Sequence, residues 1–264
     1  MTLPEALITA ARRYCKEHHL RRANRYAKER TGANDPVYSY SDQDYNLFPR
    51  YQVLAAILGE VEKLVGRTFP SPEACRETLV HTGLTARSLF TEIDHPIAQA
   101  AMQEERMNFV QYLQNLTPAS LAQVVPLPYR RRLNEEESSM VRQQLLERWN
   151  YNGGYWAPLT GNIPSNTLFV ARQALTPADR SAIADYICQH AAPHLLEITA
   201  DETDAEITCS ELDLDSYETV YCDKNYNWLL YTSHESTLTF AGEQLLVFVR
   251  QLFAGREALL NQWP

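Results

Sequence analysis

Glycine is scarce in this chain, at 9 of 264 residues. The glycine-dependent phosphate signatures are missing with it: there is no G-x-x-x-x-G-K-[ST] and no G-x-G-x-x-G. G-x-S-x-G and H-E-x-x-H are absent too. A phosphate cradle needs backbone N–H groups brought close by residues without a side chain, so nucleotide enzymes lose ground, as do the common hydrolases and zinc proteases. No apolar run approaches the roughly 18 uncharged residues of a membrane-spanning helix. The opening MTLPEALITAARRYCKEHH brings in charges before an apolar core of signal-peptide length, so a cytoplasmic protein is expected. The five cysteines, Cys15, Cys75, Cys188, Cys209 and Cys222, are odd in number and form no C-x-x-C. That pattern favours reduced, buried thiols over a disulfide framework. Cys15, His18 and His19 lie within about a helical turn, but no second ligand pair follows. Pro193 breaks the helix that would align His190 with His194. Neither a metal site nor a cofactor is expected.

What is present suits a globular chain: 45% hydrophobic and 22% charged residues. Its length allows one large domain or two small ones. At this size the chain needs no metal or disulfide to fold. The net charge of -9 is unevenly spread. Residues 1–132 carry 17 basic and 14 acidic residues, and residues 133–264 carry 7 and 19. Between Arg12 and Arg30 there are 8 basic and 2 acidic residues. Between Glu197 and Asp223 there are 10 acidic residues and no Lys or Arg. Such a stretch repels itself unless it is solvated or meets positive charge. It is read as a solvated hairpin rim, as a partner for the basic first helix, or as a docking face for a basic protein.

The first third reads as helix. Thr2 and Glu5 have capping-box spacing, and the helix they open should run to about Arg30, with Gly32 as its stop. A polar, tyrosine-rich loop follows. A second helix is expected from near Pro49, with Val53, Ile57, Leu58, Val61 and Leu64 on one face. A third starts at Ser71-Pro72 and ends near Gly83, and a fourth covers 96–116. TPASLAQVV adds a short turn. Pro126, Pro128 and Arg130–Arg132 mark a boundary, giving a helical region 1–125 and an α+β domain 126–264.

In the second part a helix is expected over 135–149, a strand at LFVARQAL and a helix from Thr176 to before Pro193. Then the period shifts to two, through EITADETDAEITCSELDL, SYETVYC, NWLLYTS and STLTF. Gly242 precedes a last amphipathic helix. The fold class is α+β: a helical bundle or cap followed by a small antiparallel sheet with flanking helices, placed on one side of it.

The densest polar cluster is Tyr231-Thr232-Ser233-His234-Glu235-Ser236-Thr237. Its Ser, His and Glu are consecutive, so in extended backbone His234 faces away from Ser233 and Glu235 and no triad forms. A hairpin tip is expected, with His234 or Glu235 free to act with a residue from elsewhere, such as Tyr155 or Trp156. Tyr217, Tyr221, Tyr226, Trp228 and Tyr231 crowd the acidic segment, a composition seen in protein-binding hot spots. The basic residues of the first helix (Arg12, Arg13, Lys16, Arg21, Arg22, Arg25, Lys28, Arg30) are spread around it, which argues against a groove reader.

The run Tyr155-Trp156-Ala157-Pro158-Leu159, followed by the Trp228-to-Gly242 segment with Tyr231 and Ser233-His234-Glu235, resembles a pattern in uncharacterised bacterial cytosolic proteins. Over residues 130–255 it is similar to immunity proteins of toxin systems. The resemblance implies a bacterial cytosolic protein that binds and neutralises a toxin, and the acidic face makes a non-catalytic module for a basic toxin the expectation. Asp201, Glu202, Asp204, Glu206, Asp213, Asp215, Glu218 and Asp223 would steer the approach, and Tyr217, Tyr221, Tyr226 and Trp228 would anchor it. Two alternatives stand beside it. One is a cofactor-free enzyme with a pocket between the halves around Tyr155, Trp156, Tyr231, Ser233, His234 and Glu235. The other is a nucleic-acid-associated regulator using the first helix. No membrane partner is expected.

Overall fold

The computed structural model describes residues 1–30, 39–156, 166–191, 193–201 and 203–262. The chain divides into two compact units, Met1–Leu127 and Pro128–Pro264. The stop at Gly32, and Ala157, Pro158 and Leu159 of the sequence pattern, lie outside the described residues.

The first unit is helical: α1 (Leu3–Glu29), α2 (Asp42–Glu62), α3 (Pro72–Thr85), α4 (Pro96–Asn115) and the single turn α5 (Pro118–Leu121). Local chemistry starts most of these helices. Thr2 and Glu5 close a capping box on α1, and Ser71 caps α3 with Pro72 just inside it. α2 begins earlier than expected. The Ser41–Asp44 box opens it at Asp42, and Pro49 sits buried inside the helix. Proline removes one backbone donor there, while the Arg50 side chain donates to the nearby Asn46 carbonyl at 3.0 Å. α3 ends at Thr85, near Gly83 as expected, but the glycine is not its stop. It lies inside the helix because a Cβ there would stand 2.5 Å from the Phe109 ring.

Leu7, Val53, Leu54, Ile57, Leu79, Phe109 and Leu113 form the core of this unit. Each large side chain contributes about 1.5–3 kcal/mol of burial. Charges are buried with them: Arg12 pairs with Glu62 at 3.3 Å, and the fully buried Glu105 takes Arg22 at 2.6 Å and Arg50 at 3.0 Å. The basic face of α1 is therefore partly spent inside its own unit.

The second unit contains β1 (Arg130–Arg132), α6 (Glu135–Trp149), β2 (Thr167–Ala171), α7 (Pro177–His190), β3 (Leu195–Thr199), β4 (Ala205–Ile207), β5 (Thr219–Cys222), β6 (Leu229–Thr232), β7 (Thr237–Ala241) and α8 (Glu243–Leu252). The strands make one seven-stranded sheet in the order β1-β4-β3-β5-β6-β7-β2. All its pairings are antiparallel. Helices cover both faces, not one. Tyr221, Leu230 and Phe240 point to the face packed by Ile183 and Ile187 of α7 and Leu245 and Val249 of α8. Val220, Leu229 and Tyr231 point to the face packed by Val141 and Leu145 of α6. This double cover is why every residue of β5, β6 and β7 is buried.

The thiol expectation is corrected. Cys188 and Cys209 form a disulfide with Cα atoms 5.5 Å apart, tying the last turns of α7 to a single-turn 3-10 helix, Cys209–Glu211. Cys15, Cys75 and Cys222 are free and buried. Among the described residues, no helix is long and apolar enough to cross a membrane.

Candidate functional site

The β6–β7 hairpin closes through residues 233–236. Ser233 N–H donates to the Thr237 carbonyl at 3.1 Å and Ser236 N–H to the Ser233 carbonyl at 3.2 Å. The Ser233 hydroxyl is buried against that of Thr237 at 2.8 Å. It is a turn-forming group and not an exposed nucleophile. Beneath the tip, Arg172 donates to the Ser233 carbonyl at 2.9 Å. His234 and Glu235 are both exposed at the tip and lie together, so the strand parity that sets His234 away from Glu235 does not hold: the backbone here is a turn and not an extended strand.

The carboxylate that meets the imidazole comes from another strand. Glu218 directly precedes β5, and the register pairs Thr219 with Thr232. That carries Glu218 to the level of the turn. Its Oε1 accepts the His234 backbone N–H at 2.7 Å and lies 2.6 Å from Nδ1. Its Oε2 accepts the hydroxyl of buried Tyr231. The Tyr231 hydroxyl oxygen accepts the Trp156 backbone N–H at 3.3 Å. Glu218 does this with φ at 44°, in the left-handed region. A residue with a Cβ holds that conformation only where its surroundings fix it, and here three bonds to its carboxylate do so.

His234 Nε2 lies 3.2 Å from Glu235 Oε1. Two tyrosine rings flank the imidazole, Tyr155 with its centroid 4.9 Å away and Tyr217 at 5.9 Å. The Glu218 carboxylate raises the imidazole pKa above its ordinary value, and Glu235 adds to the effect. Burial, and then its bond to Glu218, push the Tyr231 hydroxyl far up. The Tyr155 hydroxyl is raised by burial and then by Glu235 and Glu218. The result is a histidine with a fixed ring, a carboxylate at each nitrogen and aromatic faces beside it.

Of the polar residues expected here, Tyr155, Trp156, Tyr231, His234 and Glu235 do converge, and Ser233 supports the turn. Glu218 was expected among steering charges. Nothing short of strand register reveals its place under His234.

The expected docking face changes more. Asp204 is buried and paired with Arg142 at 2.7 Å. Glu206 is buried between Arg131 at 2.8 Å and Lys224. Burial alone would raise the Glu206 carboxyl, but Lys224 and Arg131 outweigh it and bring it down to about 2. Asp223 is buried and caps its turn, accepting the Asn227 N–H at 2.6 Å. Glu218 is buried as described. These four are not free steering charges. Asp204 and Glu206 take their cations from Arg142, Arg131 and Lys224 of the same unit. Tyr221 and Trp228 are in the core, and Tyr226 is half-buried with Arg148 over its ring at 5.7 Å. Asp201, Asp213, Asp215 and Tyr217 remain at the surface, with Asp215 paired to Arg180 at 2.9 Å. Glu202 lies outside the described residues. Among the described residues no group of three or more metal-ligating side chains is placed to hold an ion. Compared with known protein families, curated proteins and solved structures, the chain matches none.

Proposed function

We propose that this chain is a non-catalytic protein-binding module of the immunity type, which neutralises a basic toxin by docking it on the acidic second unit. The observation that carries this reading is where charge and exposed rings coincide. Residues 128–264 hold 10 basic and 19 acidic residues, while residues 1–127 balance at 14 and 14. On the acidic unit Tyr217 is 70% exposed, two and four positions after the exposed Asp215 and Asp213, and Tyr155 is 42% exposed. Charge of one sign speeds the encounter with a cationic partner, and tyrosines supply the contact that then holds it. The docking residues are Asp213, Asp215, Tyr217 and the hairpin tip. The resemblance of residues 130–255 to immunity proteins supports the same reading.

Co-expression tests it. The product of the adjoining reading frame should arrest growth alone, and this chain should restore it by forming a complex. Reversing Asp213 and Asp215 to Lys should slow association about tenfold at low salt and little at high salt. Absence of both rescue and complex overturns the reading. We place the chain in the cytoplasm on the same reading. The Cys188–Cys209 bridge is of a kind that oxidising compartments keep, so this placement requires the pair to be reduced in the cell and to oxidise on isolation; finding it oxidised in cells whose thiols are blocked before lysis would overturn the placement.

A second reading, a cofactor-free enzyme, draws on the Glu218–His234 pair, since a carboxylate on Nδ1 is how general-base histidines are oriented. It requires turnover that His234→Gln abolishes while binding persists.

A further inference from the structure

We propose that the β6–β7 hairpin tip receives an arginine side chain of the basic partner, with Tyr217 and Tyr155 as its stacking faces and Glu235 as its counter-charge. This rests on the protein-binding reading above and names the group that the site selects.

Three features lead to it. First, the rings are held out, not packed away. Tyr217 is 70% exposed and Tyr155 is 42% exposed, yet both lie against the His234 imidazole. Large rings kept at the surface and braced from behind present flat π faces without the cost of ordering them on binding. Second, the acidic groups differ in availability. Glu218 is buried and its oxygens are taken by Tyr231 and His234. Glu235 turns Oε1 toward His234 and its side chain stays 45% exposed. With the imidazole neutral, the outward-facing charge beside the rings is that of Glu235 and is negative. Third, the platform is rigid. Glu218 is fixed in a left-handed conformation by its own bonds and fixes His234 in turn, over a tyrosine in the core.

A ligand for a ring face and the carboxylate beside it must be cationic, and flat if it is to use both. A guanidinium stacks on aromatic faces and forks onto a carboxylate, whereas an ammonium is a compact, strongly hydrated charge. The chemistry thus favours arginine over lysine, and complementarity to the acidic unit places that arginine on a basic protein.

The test uses the full chain and two synthetic probes, a peptide of alternating Arg and Gly and its Lys counterpart, titrated at low salt above the imidazole pKa. The Arg peptide should bind about two- to fivefold more tightly than the Lys peptide. Tyr217→Ala and Glu235→Gln should each remove that preference, while Tyr217→Phe keeps it. Asp185→Asn removes an exposed carboxylate on α7 and should leave the preference intact. Equal affinity for the two peptides, no binding of either, or equal loss in Asp185→Asn and Glu235→Gln overturns the proposal. Growth rescue separates it from the broader reading. Failed rescue with intact arginine preference sinks the immunity role alone. Rescue undiminished in the Tyr217→Ala/Glu235→Gln double variant sinks the arginine site alone.

Discussion

Glu218 adopts a backbone conformation that glycine would take more readily, and it buries a carboxylate. The compensation is local: His234 and Tyr231 use that carboxylate fully. Two consequences follow at the residue scale. Replacing Glu218 by Ala leaves the buried Tyr231 hydroxyl without its acceptor, at a cost of about 1–3 kcal/mol in denaturant unfolding. Glu218→Gln keeps an acceptor and should cost less. In both variants the His234 imidazole should titrate closer to its ordinary value, which NMR of the ring resonances would record. The sign is fixed by linkage. The folded imidazole binds its proton more tightly than the unfolded one, so the pair stabilises the fold fully below an unfolded pKa of about 6.5. That contribution is lost as pH rises through the folded value. An unchanged titration in Glu218→Gln would mean that Glu218 does not set the histidine's charge.

At the scale of elements, the junction of β7 and α8 leaves no room for a side chain. Gly242 has φ of 106°, and a Cβ there would meet the Asn227 carbonyl at 2.5 Å and Trp228 Cα at 2.7 Å. Both obstacles are backbone and cannot rotate aside. Gly242→Ala should therefore destabilise by more than about 1 kcal/mol, despite reducing the freedom of the unfolded chain. A variant as stable as the parent would show that this junction yields. The opposite end of the sheet is held by charge. Arg131 on β1 sits directly across from Glu206 on β4, and Lys224 closes the other side. Glu206 is held near 2, below its unfolded value, so its contribution is complete above about 4.5 and drains as pH falls toward 2. Acid unfolding of Glu206→Gln should accordingly be less steep over that interval.

For the whole molecule, the disulfide makes the sharpest forecast. It closes a 21-residue separation within the second unit. The chain-entropy account assigns such a loop about 3 kcal/mol. Denatured without reductant, the oxidised chain should show thiols only at Cys15, Cys75 and Cys222. With reductant all five should react, and the second unit should unfold at lower denaturant. Five reactive thiols in the untreated protein would refute the bridge. The first unit has its own core and no part in the disulfide, so its unfolding should not move.

The sequence by itself determined the elements that local chemistry specifies. Thr2, Ser71 and Thr176 start helices because each side chain accepts a backbone N–H three residues on. The boundary near Pro126–Pro128 was legible from its prolines, and the α+β class and the hairpin tip at 233–236 from period and turn residues. Ser233-His234-Glu235 forms no triad, but not through strand parity: His234 and Glu235 meet in a turn, and Ser233 is the residue turned inward. Pro49 misled because the Ser41 capping box starts α2 upstream and the helix runs on through the proline with one backbone donor missing, whereas α3 does end near Gly83, at Thr85. Only the tertiary structure decided which charges are free. Glu206 and Asp204 look alike in an acidic run, yet their cations arrive from 131, 142 and 224 through strand pairing and helix docking. Glu218 reaches His234, 16 positions away, only through the β5–β6 register. The bridge between Cys188 and Cys209 likewise depends on α7 lying over the turn that bears Cys209. Spacing along a chain fixes backbone bonds a few residues apart, whereas the charge and exposure of a side chain depend on neighbours that folding alone supplies.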